Sequence, residues 1–166
     1  IKEDARLLIL SREFPTNSGS IDALGIDQEG EIYIIETKLY RNSDKRRVIA
    51  QVLDYGASLY FHSQNFEAFL DLIENDVQRK FGKSLSEKII EYYDLDLTDI
   101  KLLTENVELN LREGKFKFIV LMDELEDRLK DMIKYLNLNS NFDIYGVELD
   151  FYKFEGYQII MPRIYG

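Results

Sequence analysis

The chain has 166 residues, 45% of them hydrophobic and 31% charged, which is the composition of one globular domain rather than of a disordered chain. It contains no cysteine and a single histidine, His62, which excludes disulfide scaffolds, thiolate zinc sites, cysteine nucleophiles and multi-histidine metal sites. The formal net charge of −10 argues against a protein that only binds nucleic acid passively, because contacts to phosphates need lysine and arginine.

The first third of the chain predicts a helix, two strands and a second helix. Residues 3–12 (EDARLLILSR) are interpreted as a short helix. Turn-forming residues then lead into residues 20–27 (SIDALGID), whose small and apolar residues predict a strand. Residues 31–39 (EIYIIETKL) form a β-branched run that is too apolar for an exposed edge strand. Apolar residues repeat at helical spacing over residues 43–61.

The middle of the chain predicts further helices. Residues 65–92 are typical of one or two amphipathic helices, whereas residues 93–113 carry no clear pattern. The stretch from about residue 63 to residue 113 is therefore interpreted as a helical insertion.

The C-terminal third predicts a strand, a helix and a hairpin. Residues 115–122 (KFKFIVLM) are typical of a buried strand, and DELEDRLKDMIKYL follows as a helix in which Asp123 and Glu126 have the spacing of a capping box. Two strand-like runs, YGVELDFY and YQIIMPRI, then flank a turn at Glu155-Gly156. This order of elements predicts an α/β sandwich with a central mixed β-sheet flanked by helices.

The turn between the two predicted strands determines which of their side chains lie opposite each other. Residues 27–31 fit a three-residue hairpin loop with Gly30 in the left-handed conformation. The ends of this loop then pair, every opposed pair of residue numbers sums to 58, and Asp22 lies across from Glu36 with β-carbons about 5 Å apart. A loop one residue longer would turn Asp22 to the other face. Gly30 therefore decides whether the two carboxylates meet.

These two carboxylates lie beside a lysine. Glu36 and Lys38 share a face of the strand because alternate residues do, and they lie roughly 7 Å apart along it. Repulsion between two carboxylates at this distance raises the pKa of one of them unless a cation lies between them. A pair of carboxylates offers only oxygen ligands, which suits Mg²⁺ or Mn²⁺. Such an ion activates water and screens a phosphodiester. An ordinary solvated strand face is the alternative, but Ile32 and Ile34 share this face.

The same residues resemble a known motif. The run Gly-Ser-Ile-Asp22, followed by Ile-Ile-Glu36-Thr-Lys38, is similar to the Asp…(Asp/Glu)-x-Lys signature of the PD-(D/E)xK nuclease superfamily. The segment RRVIAQVLDY resembles the helix that follows this motif in RecB-like members, where a Gln-x-x-x-Tyr pair, here Gln51 and Tyr55, supports the site.

This resemblance implies a restriction-endonuclease-like fold over residues 1–166, with a motif core at 19–60, the helical insertion at about 63–113, and a strand-helix-strand-strand unit at 115–165.

The resemblance also implies an activity, which is Mg²⁺-dependent hydrolysis of DNA phosphodiester bonds, in DNA repair or in defence. It assigns the metal to Asp22, Glu36 and the backbone carbonyl of Thr37. It makes Lys38 catalytic, together with the two acids. Family members often take another acid from the first helix, and Glu3 and Glu13 are both candidates for that role. Ile21 stands where the name-giving proline would be.

The remaining expectations concern partners and location. Arg41, Lys45, Arg46 and Arg47 form a basic cluster that is either a contact for DNA phosphates or a solvated helix start. A fused domain or a partner chain is expected to supply a wider basic groove, and a homodimer is left open. No apolar run approaches the roughly 20 residues that cross a membrane, so we expect no membrane partner. No leader is recognisable, which predicts a cytoplasmic protein, and a first residue other than Met suggests a piece of a longer chain.

Two other classes of function are left open. The first is a catalytically inactive nuclease-like module that binds nucleic acid or a protein partner. The second is an acidic interaction protein for a basic partner, which would leave Asp22, Glu36 and Lys38 unexplained. The sequence does not distinguish an endonuclease from an exonuclease.

Overall fold

A computed structural model describes residues 6–38, 47–62 and 65–166, without the side chain of His62. The described residues form six strands and five helices. In chain order these are β1 (Leu8–Thr16), β2 (Gly19–Ile26), β3 (Ile32–Lys38), α1 (Arg47–His62), α2 (Phe66–Phe81), α3 (Leu85–Tyr93), α4 (Leu97–Glu113), β4 (Phe116–Met122), α5 (Asp127–Asn139), β5 (Asp143–Phe154) and β6 (Tyr157–Tyr165).

The six strands form one mixed sheet in the order β1-β2-β3-β4-β5-β6. The pairs β1–β2, β2–β3 and β5–β6 are antiparallel, whereas β3–β4 and β4–β5 are parallel. Parallel neighbours need long crossover connections, and helices supply both of them here. The predicted α/β class with a mixed sheet is confirmed.

The described helices share one hydrophobic core with the sheet. Each of α1 to α5 contributes buried residues to the larger apolar cluster, while a smaller cluster on the opposite face of the sheet consists of Tyr33, Ile35, Ile119 and Val147. This arrangement of helices packed on a sheet is compatible with an α/β sandwich. None of the helices in the described ranges is long and apolar enough to cross a membrane.

The hairpin between β2 and β3 has the predicted register. Ala23 pairs with Ile35 and Leu24 with Ile34, so that opposed residue numbers sum to 58. Gly30 has φ of 80°, and its amide donates to the Asp27 carbonyl at 3.2 Å. The Asp27 carboxylate closes the loop by accepting from the backbone amides of residues 29 and 31, each at 3.0 Å. The turn chemistry therefore sets the register as expected.

The predicted helix over residues 3–12 is wrong where the structure describes it, because Leu8–Thr16 is strand β1. Leu8 and Leu10 pack into the larger cluster and Ile9 packs against the smaller one. A strand buried on both faces carries a continuous apolar run, which periodicity alone does not separate from a helix segment. Residues 1–5 lie outside the described residues.

Two further differences concern helices. The predicted capping box at Asp123 and Glu126 is wrong, because α5 starts at Asp127 and its N-cap, Glu126, makes no side-chain capping hydrogen bond. Residues without a clear pattern form α4, which begins with a capping box of Asp96 and Asp99. The buried side chains of α4 recur only every fourth residue among many polar ones, which made its apolar stripe faint.

Candidate active site

Glu36 is a buried charged residue near the end of β3. Only 1% of its surface is exposed, and its strand neighbours Ile32 and Ile34 on the same face are fully buried. In the parallel ladder it lies beside Val120 of β4, which is also fully buried. The sheet and its helices therefore enclose this carboxylate almost completely.

The two oxygens of the Glu36 carboxylate have different surroundings. Oε1 lies 2.7 Å from Nζ of Lys38, whose side chain is 24% exposed. Oε2 is buried and has no hydrogen-bond partner among the described residues. Burial raises the pKa of Glu36, the hydrogen bond from Lys38 opposes this, and the charges of Asp22 and Glu13 add to the increase. The structure thus places the Lys38 ammonium beside the Glu36 carboxylate, and the catalytic role of the two residues stays a prediction.

Asp22 lies where β2 and β3 separate. The described ladder between them ends at Ala23↔Ile35, one step before Asp22. The carboxylate oxygen Oδ2 accepts from the backbone amide of Thr37 at 2.7 Å and from its hydroxyl at 2.5 Å. Asp22 therefore binds the residue between Glu36 and Lys38. The predicted role of the Thr37 carbonyl as a metal ligand stays a prediction.

The structure also places Glu13 at this site. It lies on β1 between the pairs Arg12↔Ala23 and Phe14↔Ile21, which puts it across from Asp22. Its backbone has φ of 54°, a conformation that residues other than glycine rarely adopt. Interpreting residues 8–26 as a hairpin would have found this pairing from the sequence. The other candidate, Glu3, lies outside the described residues.

The predicted Gln-x-x-x-Tyr pair is formed on α1. Nε2 of Gln51 donates to the Tyr55 hydroxyl at 2.7 Å, and Tyr55 is only 4% exposed. A methyl group built on Gly19 would lie 3.7 Å from that hydroxyl, so Tyr55 lies close to the start of the strand that carries Asp22. Its supporting role at the site stays a prediction.

The basic cluster is only partly described. Arg47 is the first residue of α1 and is exposed. Arg41, Lys45 and Arg46 lie outside the described residues, so the predicted contact with phosphates stays a prediction.

The acidic residues fit a small divalent cation. Within the described ranges, no three Asp, Glu, His or Cys side chains come together as a complete metal-binding group. Mg²⁺ needs no such group, because it keeps several waters and is commonly held by one or two carboxylates plus substrate. Within residues 6–38, 47–62 and 65–166 the buried Oε2 of Glu36 has no hydrogen-bond partner, and the repulsion between Glu36 and its acidic neighbours is the kind that a cation relieves. The binding of Mg²⁺ or Mn²⁺ stays a prediction.

A second buried carboxylate, which was not predicted from the sequence, lies further along the same end of the sheet. Glu148 on β5 is 8% exposed and pairs with Met122, which in turn pairs with Lys38. Its Oε1 accepts from Arg163 at 2.9 Å, and Lys130 lies 3.7 Å from its Oε2. In the sequence, the position of Glu148 among the core-facing residues of the run YGVELDFY could have identified it as a buried acid.

Comparisons with protein-family models, with curated proteins and with solved structures found no match to this chain. The geometry of Asp22, Glu36 and Lys38 and the resemblance of their motif are therefore the basis for a functional proposal.

Proposed function

We propose that this chain is a Mg²⁺-dependent deoxyribonuclease with a PD-(D/E)xK-type active site and a restriction-endonuclease-like core. The observation that carries the proposal is the Glu36 carboxylate. One of its oxygens pairs with Lys38 at 2.7 Å, and the other is buried and has no hydrogen-bond partner in the part of the chain that the structure describes. A buried, charged group of this kind in a folded core is costly, and such groups concentrate at functional sites.

Asp22, Glu36 and the carbonyl of Thr37 would hold the Mg²⁺ or Mn²⁺. When bound, the ion supplies Lewis-acid activation of the phosphate and of the attacking water. Thr37 fixes the Asp22 carboxylate through two hydrogen bonds to Oδ2, which favours Oδ1 as the oxygen that faces the cation. The position agrees with the general preference of ligands for the carboxyl ends of parallel strands.

Lys38 supplies the positive charge for the reaction. Hydrolysis adds a water oxygen to phosphorus and breaks the bond to the leaving sugar oxygen, and negative charge grows on the phosphate oxygens as this happens. Glu36 holds the Lys38 ammonium at the end of β3, where the side chain remains partly open to solvent. There the ammonium can orient the water and stabilise the developing charge.

A catalytically inactive, nuclease-like module is the second candidate. The net charge of −10 favours it, because an acidic chain approaches DNA poorly without a basic surface. In the active enzyme, bound metal and a fused or partner chain would offset this charge.

The test is cleavage of single-stranded and double-stranded DNA with Mg²⁺ or Mn²⁺, with EDTA as the metal-free control. We expect cleavage that requires metal, and a loss of about 10²–10³-fold or more in Lys38→Met, as for removal of one group that stabilises the transition state. Lys115→Met is the matched control, because Lys115 contacts Glu113 at 2.5 Å in an exposed Glu-x-Lys pair.

Full activity of Lys38→Met, or no cleavage by the folded parent with either metal, would contradict the proposal. Loss of activity in both lysine variants would show that the effect is not specific to the site.

A further inference from the structure

The hairpin of β5 and β6 extends beyond the rest of the sheet. Pairing between β4 and β5 ends at Met122↔Glu148, whereas β5 and β6 remain paired as far as Phe154↔Tyr157. We call residues 149–164 of this hairpin the arm. Every residue from 151 to 164 is exposed. The described part of the chain therefore gives the outer arm no third strand.

Both faces of the arm are apolar. Leu149 is partly buried against the smaller cluster. The other large hydrophobic side chains of the arm are 46–73% exposed: Phe151, Tyr152, Phe154, Tyr157, Ile159, Ile160, Met161 and Ile164. Phe151 lies opposite Ile160 on one face, and Tyr152 lies opposite Ile159 on the other. A two-stranded hairpin is at best marginally stable in water without a third strand or a packed face. The composition of the arm therefore favours a structure in which something covers it.

The exposed area is that of a stable interface. An aromatic side chain covers about 150–250 Å² when fully buried, and with about 200 Å² taken for each of the eight, exposure by about half gives on the order of 800 Å² over the two faces together. A standard protein interface buries about 800 Å² per partner, whereas the largest apolar patch of a typical monomer covers about 300–600 Å². This area is divided between the two faces of the hairpin, and a contact along β6 covers the part of it that borders the edge.

The charge of the arm indicates which partner fits. It carries two acidic and two basic residues (Asp150, Glu155, Lys153 and Arg163), so its formal net charge is zero in a chain of net charge −10. A neutral, apolar surface does not fit a nucleic acid, which needs lysine and arginine. Two acidic copies, however, can meet at their neutral parts with the least repulsion.

The edge of β6 sets the geometry of the contact. β6 is the last strand in the described sheet, so its outer backbone groups face away from β5. Edge strands are usually protected by proline or charge, and here Pro162 and Arg163 stand near the base of the arm. Residues 157–161 (YQIIM) contain neither.

We propose that two copies of this chain associate through their arms, with residues 157–161 of β6 pairing antiparallel with the same residues of the second copy. This contact is two-fold symmetric and closes on itself, and it joins the two sheets at their edges. On each face of the joined sheet, the apolar side chains of β6 next to the paired edge then pack against those of the other copy.

Sedimentation equilibrium in EDTA and without DNA tests this proposal. We expect the parent to show twice the chain mass of 19.6 kDa, and the double variant Ile159→Lys/Ile160→Lys to show the mass of one chain. Lys side chains at an open edge prevent strand pairing. The matched control is Leu97→Lys, which replaces an 80% exposed leucine outside the arm and should remain a dimer.

Amide hydrogen exchange of the parent provides a test that needs no variant. The amides of residues 157–161 should be protected at high protein concentration and exchange faster on dilution. A parent that stays monomeric up to its solubility limit, a double variant that dimerises like the parent, or open-ended larger assemblies would overturn the proposal. These measurements involve neither metal nor DNA, so they test the dimer proposal independently of the nuclease proposal.

Discussion

Glu36 occupies a position where the surrounding residues would favour an apolar side chain. It follows buried isoleucines on its own face of β3 and lies beside Val120. Leaving a buried acceptor such as Oε2 without a partner costs about 1–3 kcal/mol. Natural sequences break local rules of this kind mainly at functional sites. The resemblance of the motif and the burial of Glu36 therefore point to the same residue.

The pH dependence of stability should show this cost in metal-free protein. The groups that face Glu36 are Lys38 on its own strand, Asp22 on β2 and Glu13 on β1, and the net effect raises the pKa of Glu36 above its usual value of 4.5. A raised pKa means that the folded state binds this proton more tightly than the unfolded state does. Its contribution to stability is therefore lost as the pH rises from the usual value through the raised one.

We predict that Glu36→Gln, which resembles the protonated acid, becomes increasingly more stable than the parent as the pH rises through that window. Urea unfolding of both proteins in EDTA between about pH 4 and pH 8 measures the difference in free energy. A difference that stays constant with pH would mean that the carboxylate is not strained by its surroundings.

At the scale of elements, the loop between β2 and β3 positions the acids. Gly30 has positive φ and also lies tightly against α4, because a methyl group built on it would come within 2.8 Å of the Leu103 carbonyl and of Cβ of Asn106. The sequence alone predicted the left-handed conformation from the loop length. The contact with α4 was not predictable, because residues 93–113 showed no clear helical pattern.

We predict that Gly30→Ala destabilises the fold by clearly more than Gly82→Ala. Gly82 has φ of 67° with open space around its Cα, so its substitution carries only the backbone penalty of about 1 kcal/mol. Gly30→Ala adds the clash with α4, and we expect a total of about 2–4 kcal/mol. Chemical denaturation measures the free energy of unfolding of the two variants. An equal decrease in both would show that α4 moves away from the added methyl group without a loss of stability.

The elements that were predicted correctly carry strong local signals. The β2–β3 hairpin has a glycine-containing loop, and α2 and α3 have clear amphipathic patterns between capping residues. Strand β1 was misassigned because its two buried faces remove the alternation. That error also hid the position of Glu13, since only a strand over residues 8–16 brings it opposite Asp22.

At the scale of the molecule, the sheet topology brings the acids to one end of its parallel strands. Glu36 and Lys38 lie near the carboxyl end of β3, and Glu148 lies near the register at which β5 leaves β4. The α/β class followed from the order of elements, but the sequence did not specify the burial of Glu36 beside Val120 or the extension of the arm. Both depend on pairings between residues far apart in the chain.

The net charge of −10 makes a bound cation important for any approach of DNA. The negative charges of Asp22, Glu36 and Glu13 repel phosphate, and a bound divalent ion would reverse the sign of the local field. Metal binding is thus the step on which the proposed activity depends, and it can be measured without a substrate.

Calorimetric titration of Mg²⁺ and of Mn²⁺ into the parent and into Glu36→Ala tests this central claim most directly. Glu113→Ala, which removes the acid of the exposed Glu-x-Lys pair, is the matched control. We predict saturable heat for the parent and for Glu113→Ala, and none for folded Glu36→Ala. The same binding heat in Glu36→Ala as in the parent, or no heat from the folded parent with either metal, would contradict the account.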